Sequence, residues 1–139
     1  MEDVLRKPRV AFVCVHNACR SQMAEAFGRA LASESFESVS AGTEPTETIN
    51  ADAVRLLREH FGIDASTQRS KDVRSLPRVD IVITMGCGVS CPYVFCRHRD
   101  DWGLADPTGR GDEAFLETMR TIRAKILALK ARIDRGDFD

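Results

Sequence analysis

The chain alternates short apolar runs with longer stretches in which apolar residues recur every three or four positions. Short apolar runs are typical of buried strands, and the wider spacing is typical of helices that pack by one face. Strands are predicted at residues 9–14, 36–41, 79–85 and 97–102. The run at 79–85 is nearly continuously apolar, which indicates a central parallel strand covered on both faces.

Helical spacing lies between these strands and after the last of them. The first helix is predicted at residues 21–33, and Asn50 and Gly62 are suitable residues to begin and end a second. A long helix is predicted to begin near Asp112, whereas polar residues 63–77 are assigned no regular structure. The predicted inward positions are Met23, Phe27, Leu31, Val54, Leu57, Phe61, Phe115, Met119, Ile122, Ile126, Leu129 and Ile133.

Strands that alternate with helices predict an α/β fold, a three-layer αβα arrangement around a four-stranded parallel sheet. A chain of 139 residues can bury a core of its own, so residues 1–139 are assigned to one domain. Ligands of such folds bind at the carboxyl ends of the strands. Cys14 and the residues after Met85 should therefore lie at the same edge of the sheet.

Composition excludes several classes of protein. Lysine plus arginine number 20 against 21 acidic residues, so the net charge of -1 offers no surface for nucleic acid or an anionic membrane. No apolar run approaches the roughly 18 residues of a membrane span, and the N-terminus lacks a hydrophobic signal segment. We expect a cytoplasmic monomer. Five cysteines, an odd number, favour catalysis, redox exchange or metal binding over a structural disulfide framework.

The strongest candidate site is the C-x5-R-S segment from Cys14 to Ser21, between the first strand and the first helix. Successive backbone N–H groups of residues 15–19 can converge on one centre and bind an anion. The helix adds its positive end, and Arg20 adds a guanidinium suited to a tetrahedral oxyanion. Such surroundings favour a thiolate, so Cys14 is predicted to be a nucleophile. The predicted anion-binding residues are Val15, His16, Asn17, Ala18, Cys19, Arg20 and Ser21.

A second group of cysteines follows the third predicted strand. Cys87, between two glycines, and Cys91 are close enough in sequence to form a disulfide, and such a pair in a reducing compartment is more typical of redox cycling than of structure. A zinc site formed by these two cysteines with Cys96 and His98 is an alternative, although the spacing C-x3-C-x4-C-x-H lacks the two closely spaced ligand pairs that are usual in structural zinc sites. For Cys96, and for Cys19, the favoured interpretation is a small core hydrophobe.

The run CVHNACRSQMAEA at residues 14–26 resembles the phosphate loop of the low-molecular-weight tyrosine phosphatases, and NACRSQMAEA is most similar to their arsenate reductase branch. MGCGVSCP at residues 85–92 resembles the cysteine pair of actinobacterial-type reductases. Asp106 with Pro107 falls where the family keeps its general acid. Phosphatases usually continue with an aromatic residue that sandwiches the tyrosine ring, whereas Thr108 and Gly109 follow here, as in the reductases.

The resemblance implies an enzyme of arsenic detoxification that reduces arsenate to arsenite without a cofactor. Cys14 would attack arsenic while Asp106 assists loss of water. Cys87 would then attack the adduct, and Cys91 would resolve the resulting disulfide for reduction by thioredoxin. A route in which mycothiol or glutathione attacks arsenate on the enzyme, or a glutaredoxin system, stays open as the source of electrons.

Two other functions remain open. A low-molecular-weight protein tyrosine phosphatase would use Cys14, Arg20 and Asp106 and hydrolyse the adduct with water. A thiol-based sensor of metal or arsenite would instead use the later cysteines, including Cys96. Related reductases can also hold a monovalent cation beside the loop, and Asn17, Glu25 and Ser40 match part of that pattern, but we assign no metal ligand.

Overall fold

In the computed structural model, which describes residues 7–86 and 96–139, strands and helices alternate along the chain as the hydrophobic pattern predicts. The elements are β1 (Arg9–Cys14), α1 (Arg20–Leu31), β2 (Glu37–Gly42), α2 (Ala51–Phe61), a short 3-10 helix (Val73–Ser75), β3 (Ile81–Thr84), β4 (His98–Asp101) and α3 (Asp112–Asp134). None of the helices in these two ranges is long and apolar enough to cross a membrane.

The strands form one parallel sheet in the order β2-β1-β3-β4, which confirms the predicted α/β fold with a four-stranded parallel sheet. Both β1 and β3 are interior strands, so β3, which was predicted to be central, shares the centre of the sheet with β1. Cys14 at the end of β1 is paired in register with Gly42 at the end of β2, and Val13 with Thr84 of β3. Three strand ends therefore meet around Cys14.

Local signals define the helix ends. The side chain of Asn50 accepts a hydrogen bond from the backbone N–H of Ala53 at 3.0 Å, and Gly62 ends α2 with a left-handed φ of 67°. The inward face of α2 differs in part from the prediction: Leu56 is fully buried, whereas Phe61 is only partly buried. On α3 the predicted apolar face is buried as far as Leu129.

The two faces of the sheet pack differently. Val10 and Phe12 of β1, with Ile81 and Ile83 of β3, belong to one core cluster that includes buried side chains of all three α-helices. The opposite face carries a second cluster of Ala11, Val13, Val79 and Val82. Among the described residues, Val73 packs against this second cluster from the 3-10 helix, which lies in a segment that was assigned no regular structure. Cys96 also packs against it, as a small apolar side chain.

Candidate active site

Cys14 is delivered by β1 to the edge of the sheet where α1 begins. Its side chain is buried, and its Sγ lies 2.8 Å from the hydroxyl of Ser21 in the first turn of α1. The Nδ2 of Asn17 donates to the same hydroxyl oxygen at 2.8 Å. Because the Ser21 oxygen accepts from Asn17, its own proton is available for a hydrogen bond to the sulfur of Cys14.

The loop of residues 14–19, which we call the cradle, turns its carbonyl groups outward. In a trans peptide the next N–H points opposite to the carbonyl, so the amides face the inside. Within residues 7–86 and 96–139, no acceptor pairs with the N–H groups of residues 15–19. The donors to the six carbonyl groups are, in order, Thr43 N, Glu44 N, Thr46 N with Ser70 Oγ, Gln22 Nε2, Asn50 N and Met23 N.

Asn17 and Gly42 shape the cradle. Asn17 adopts a φ of 50°, in the left-handed region that asparagine tolerates, and so forms the bend of the cradle. The hydrophobic pattern gives no sign of the role of Gly42, which directly follows the strand predicted at residues 36–41. A Cβ at Gly42 would lie 2.5 Å from the carbonyl oxygen of Val15 and 2.8 Å from the nitrogen of Asn17. Only glycine allows the cradle to lie this close to β2.

Arg20 is held against the cradle by backbone groups from distant parts of the chain. Its Nη1 donates to the carbonyl oxygens of Met85 at 3.1 Å and Leu104 at 2.8 Å. These two segments meet because Gly86 and Gly103 pack without side chains: a Cβ on Gly86 would lie 2.5 Å from the Cα of Gly103. The guanidinium is therefore fixed before any anion binds, which lowers the entropy cost of binding.

Asp106 reaches the same cavity from the loop before α3. Its Oδ2 lies 3.9 Å from Arg20 Nη2, and its Oδ1 accepts from the backbone N–H and the hydroxyl of Thr108, at 3.0 and 2.7 Å. Partial burial acts to raise the pKa of Asp106. The two hydrogen bonds from Thr108 and the charges of Arg20 and His16 outweigh it, so the pKa is below its usual value. The predicted general acid is thus held as a carboxylate by the protein's own groups.

The cradle contains a second thiol with a different character. Burial raises the pKa of Cys19 to about 12, against the lowering effects of a hydrogen bond with Thr108 and the charge of Arg20. Cys19 is therefore a neutral thiol at neutral pH, as expected of a small core side chain. His16 is exposed at the cavity mouth, with its Nδ1 2.9 Å from the carbonyl oxygen of Glu44.

These groups surround one cavity of about 460 Å³. It brings together the predicted nucleophile, guanidinium and carboxylate with most of the predicted anion-binding residues. Asn17 and Ser21 support the loop from behind. The cavity is lined by Cys14, Val15, His16, Ala18, Cys19, Arg20, Thr46, Thr48, Ile49, Asn50, Ala51, Asp106 and Thr108.

Cys87 and Cys91, the two predicted relay residues, lie outside the described residues. Of the alternative zinc set, Cys96 packs on the second face of the sheet and His98 lies in β4. In the part of the chain that the structure describes, no three side chains among histidine, cysteine, aspartate and glutamate are grouped to hold a metal ion.

Comparison with known proteins assigns the chain to a family. The model of the low molecular weight phosphotyrosine protein phosphatase family matches residues 9–137, and the chain therefore belongs to that family. Its similar relatives include a glutaredoxin arsenate reductase of Synechocystis, 37% identical over 123 residues that cover 85% of this chain and 89% of the relative.

Two solved structures extend this similarity to the fold. An arsenate reductase in its phosphate binding state has a TM-score of 0.83 and 34% sequence identity, covering 91% of this chain and 98% of that one. The thioredoxin-dependent arsenate reductase of Corynebacterium glutamicum has a TM-score of 0.76 and 34% identity, covering 94% of this chain and 64% of that one.

Proposed function

We propose that the protein is a cytoplasmic arsenate reductase of arsenic detoxification, with Cys14 as its nucleophile. A fixed guanidinium and inward-facing amides around one cavity are the groups that bind a tetrahedral oxyanion, and a buried thiol and a carboxyl group beside them can react with it. The similar reductases named above support arsenate as that oxyanion, and one of them binds phosphate, an ion of the same shape. We further propose that residues 1–139 act as one domain and as a monomer.

The observation that carries the choice of substrate is the residue after Asp106 and Pro107. Thr108 lines the cavity and hydrogen-bonds Asp106, in the place where the phosphatases of the fold carry an aromatic wall. Among the described residues that line the cavity, none is phenylalanine, tyrosine or tryptophan. Among these described residues a tyrosine ring would find no aromatic side chain to stack on, whereas a small inorganic oxyanion needs no such wall.

The first step forms a covalent adduct. The Cys14 thiolate attacks the arsenic of a bound arsenate, and a sulfur–arsenic bond forms while one arsenic–oxygen bond breaks. The leaving oxygen departs as water because Asp106 supplies a proton to it. The negative charge of arsenate raises the pKa of the nearby carboxyl group from its lowered value, which allows Asp106 to carry that proton.

The second step reduces arsenic. The Cys87 thiolate attacks Cys14 Sγ, the sulfur–arsenic bond breaks, and its electron pair remains on arsenic, which leaves as arsenite after protonation. Cys91 then attacks Cys87, so that Cys14 returns as a thiolate and a Cys87–Cys91 disulfide forms. The hydrogen bond from Arg20 to the carbonyl oxygen of Met85 supports this sequence of events, because it holds the residue two positions before Cys87 against the cradle.

Thioredoxin is the proposed source of the two electrons that reduce the last disulfide. The two named relatives differ on this point, since one is called a glutaredoxin enzyme and the other thioredoxin-dependent. A glutaredoxin or mycothiol system is therefore the alternative to test beside thioredoxin.

Arsenate-dependent oxidation of NADPH, coupled through thioredoxin and its reductase, tests the proposal. Wild type should turn over repeatedly, Cys14→Ser should be inactive, and Cys87→Ser and Cys91→Ser should lose multiple turnover. Cys96→Ser is the matched control, because this partly buried cysteine packs on the second face of the sheet, and it should keep full activity. Full multiple turnover by Cys87→Ser would refute the relay.

The phosphatase alternative is favoured by the family itself and by a cradle that recognises the shape of phosphate as well as that of arsenate. Hydrolysis of an aryl phosphate by wild type and by the Cys87→Ser and Cys91→Ser variants alike, without arsenate reduction, would identify a phosphatase. Tight binding of zinc or arsenite without turnover of either substrate would instead identify a thiol-based sensor.

A further inference from the structure

A buried carboxylate lies behind the cradle. The side chain of Glu25 on α1 is 9% exposed, and its Oε1 accepts from the hydroxyl of Ser40 on β2 at 2.6 Å. Ser40 in turn accepts from Nδ2 of Asn17 at 2.9 Å. The Asn17 amide also donates to Ser21, which contacts the sulfur of Cys14. A continuous set of hydrogen bonds therefore joins the Glu25 charge to the nucleophile.

A charge buried in this way is stable only with a compensating partner. A monovalent cation, as in related reductases, would need several free oxygen atoms. Here the Oδ1 of Asn17 already accepts from Gln22 Nε2 at 3.0 Å and from the backbone N–H of Lys71 at 2.8 Å. The hydroxyl of Ser40 is likewise used by its bonds to Asn17 and Glu25. These residues do not fit a cation site.

The chain supplies a positive charge at this place. The Nζ of Lys71 lies 3.4 Å from Glu25 Oε1 and donates to the carbonyl oxygen of Arg69 at 2.8 Å. Arg29 lies 3.6 Å from the other oxygen of Glu25, but it is a more exposed neighbour on the same helix. Of these two cations, Lys71 contacts the network at two points, with its backbone N–H on Asn17 and its ammonium on Glu25.

We propose that Lys71 is a positioning residue whose ammonium group serves as the internal cation of the cradle, in place of a bound monovalent ion. It balances Glu25, which keeps Ser40 and Asn17 oriented and so keeps the Ser21 hydroxyl on the sulfur of Cys14. The inference rests on the proposed role of Cys14 as the nucleophile, but it requires neither arsenate turnover nor the later cysteines.

The test compares potassium chloride with tetramethylammonium chloride at equal ionic strength. Two quantities are measured: the Tm, and the rate at which iodoacetamide alkylates Cys14, followed by peptide mass spectrometry. The variants are Lys71→Met, Lys71→Arg as the conservative replacement, and Lys130→Met as the matched control. Lys130 also pairs with a carboxylate, Asp134 at 2.8 Å, but within α3 and far along the chain from the cradle.

Wild type, Lys71→Arg and Lys130→Met should behave alike in both salts. In tetramethylammonium, iodoacetamide should alkylate Cys14 of Lys71→Met roughly tenfold more slowly than Cys14 of wild type, which is the loss expected for a charge-assisted hydrogen-bond network. Potassium should restore part of the alkylation rate and of the Tm of this variant. Lys71→Met at the wild-type rate in both salts would overturn the proposal.

The wild-type comparison decides the question even where Lys71→Met does not fold. A higher Tm or faster alkylation of wild type in potassium than in tetramethylammonium would show that the site takes an external cation, and the proposal would be wrong. A wild-type Cys14 that iodoacetamide does not modify in either salt would instead contradict the proposed nucleophile, which separates the two failures.

Discussion

Replacement of Gly42 by alanine perturbs the cradle without changing any group that touches the substrate. The new Cβ would lie 2.5 Å from the carbonyl oxygen of Val15, and ordinary contact begins at 3.4 Å, so the two must separate by about 0.9 Å. The two nearest atoms that it meets, this oxygen and the nitrogen of Asn17, belong to the backbone and cannot rotate away. The cradle amides must therefore move relative to Cys14.

Two magnitudes follow from this displacement. Overpacking of a tight site costs about 1–3 kcal/mol of folding free energy, which urea unfolding measures. A misplacement of about 1 Å in a catalytic site can cost roughly 100-fold in rate. We therefore expect Gly42→Ala to lower kcat/KM for arsenate by about two orders of magnitude in the thioredoxin-coupled assay.

Gly62→Ala is the matched control. Gly62 has a left-handed φ of 67° at the end of α2, with nothing within 4 Å of an added Cβ, so alanine there costs about 1–2 kcal/mol of backbone strain and leaves the cradle untouched. It should lose stability to a similar degree and keep its kcat/KM. An unchanged kcat/KM in Gly42→Ala, or an equal loss in both variants, would refute the argument that the contact of Gly42 positions the cradle.

Three further changes have defined outcomes. Thr108→Val removes one of the two hydrogen bonds that lower the pKa of Asp106, so the titration midpoint of this carboxyl carbon, followed by NMR, should rise; an unmoved midpoint would contradict the assignment. Ile122→Ala opens a cavity under the fully buried face of α3 and should cost about 2–5 kcal/mol in urea unfolding, whereas a loss under 1 kcal/mol would show that the site collapses. Asn50→Ala removes the cap of α2 and should cost about 1 kcal/mol, with aspartate at the same position as the rescue control.

The features that the sequence predicted correctly depend on short-range signals. Each of these signals is contained in one continuous stretch of chain: the apolar run of β1, the cap at Asn50, the stop at Gly62 and the spacing of the α3 face. The arrangement of the cradle belongs to the same class, because Cys14, Asn17 and Arg20 lie within the single segment from Cys14 to Ser21. A motif that includes both a strand end and a helix start places its own side chains.

The features that were missed depend on contacts between distant segments. The carbonyl groups of Met85 and Leu104 that hold Arg20 are backbone atoms, which leave no mark in the residue types. Lys71 lies in the polar stretch at residues 63–77, to which no regular structure was assigned, and its partner Glu25 is 46 residues away. Its place behind the cradle is set by backbone contacts, which include the bridge that pairs the next residue, Asp72, with Gly42.

The distance between Arg20 and Asp106 supports a route by which the proposed acid would acquire its proton. At 3.9 Å the two side chains interact by charge without a close hydrogen bond. An oxyanion bound at Arg20 Nη2 would compete with Asp106 for the positive charge of the guanidinium. Asp106 then loses part of the interaction that lowers its pKa and gains a negative neighbour, and both changes favour protonation. Thr108 keeps the carboxyl group in place throughout. In the proposed mechanism, the same carboxyl group is a carboxylate before the substrate enters and an acid once the cradle is filled, which ties proton donation to the presence of the ion that needs it.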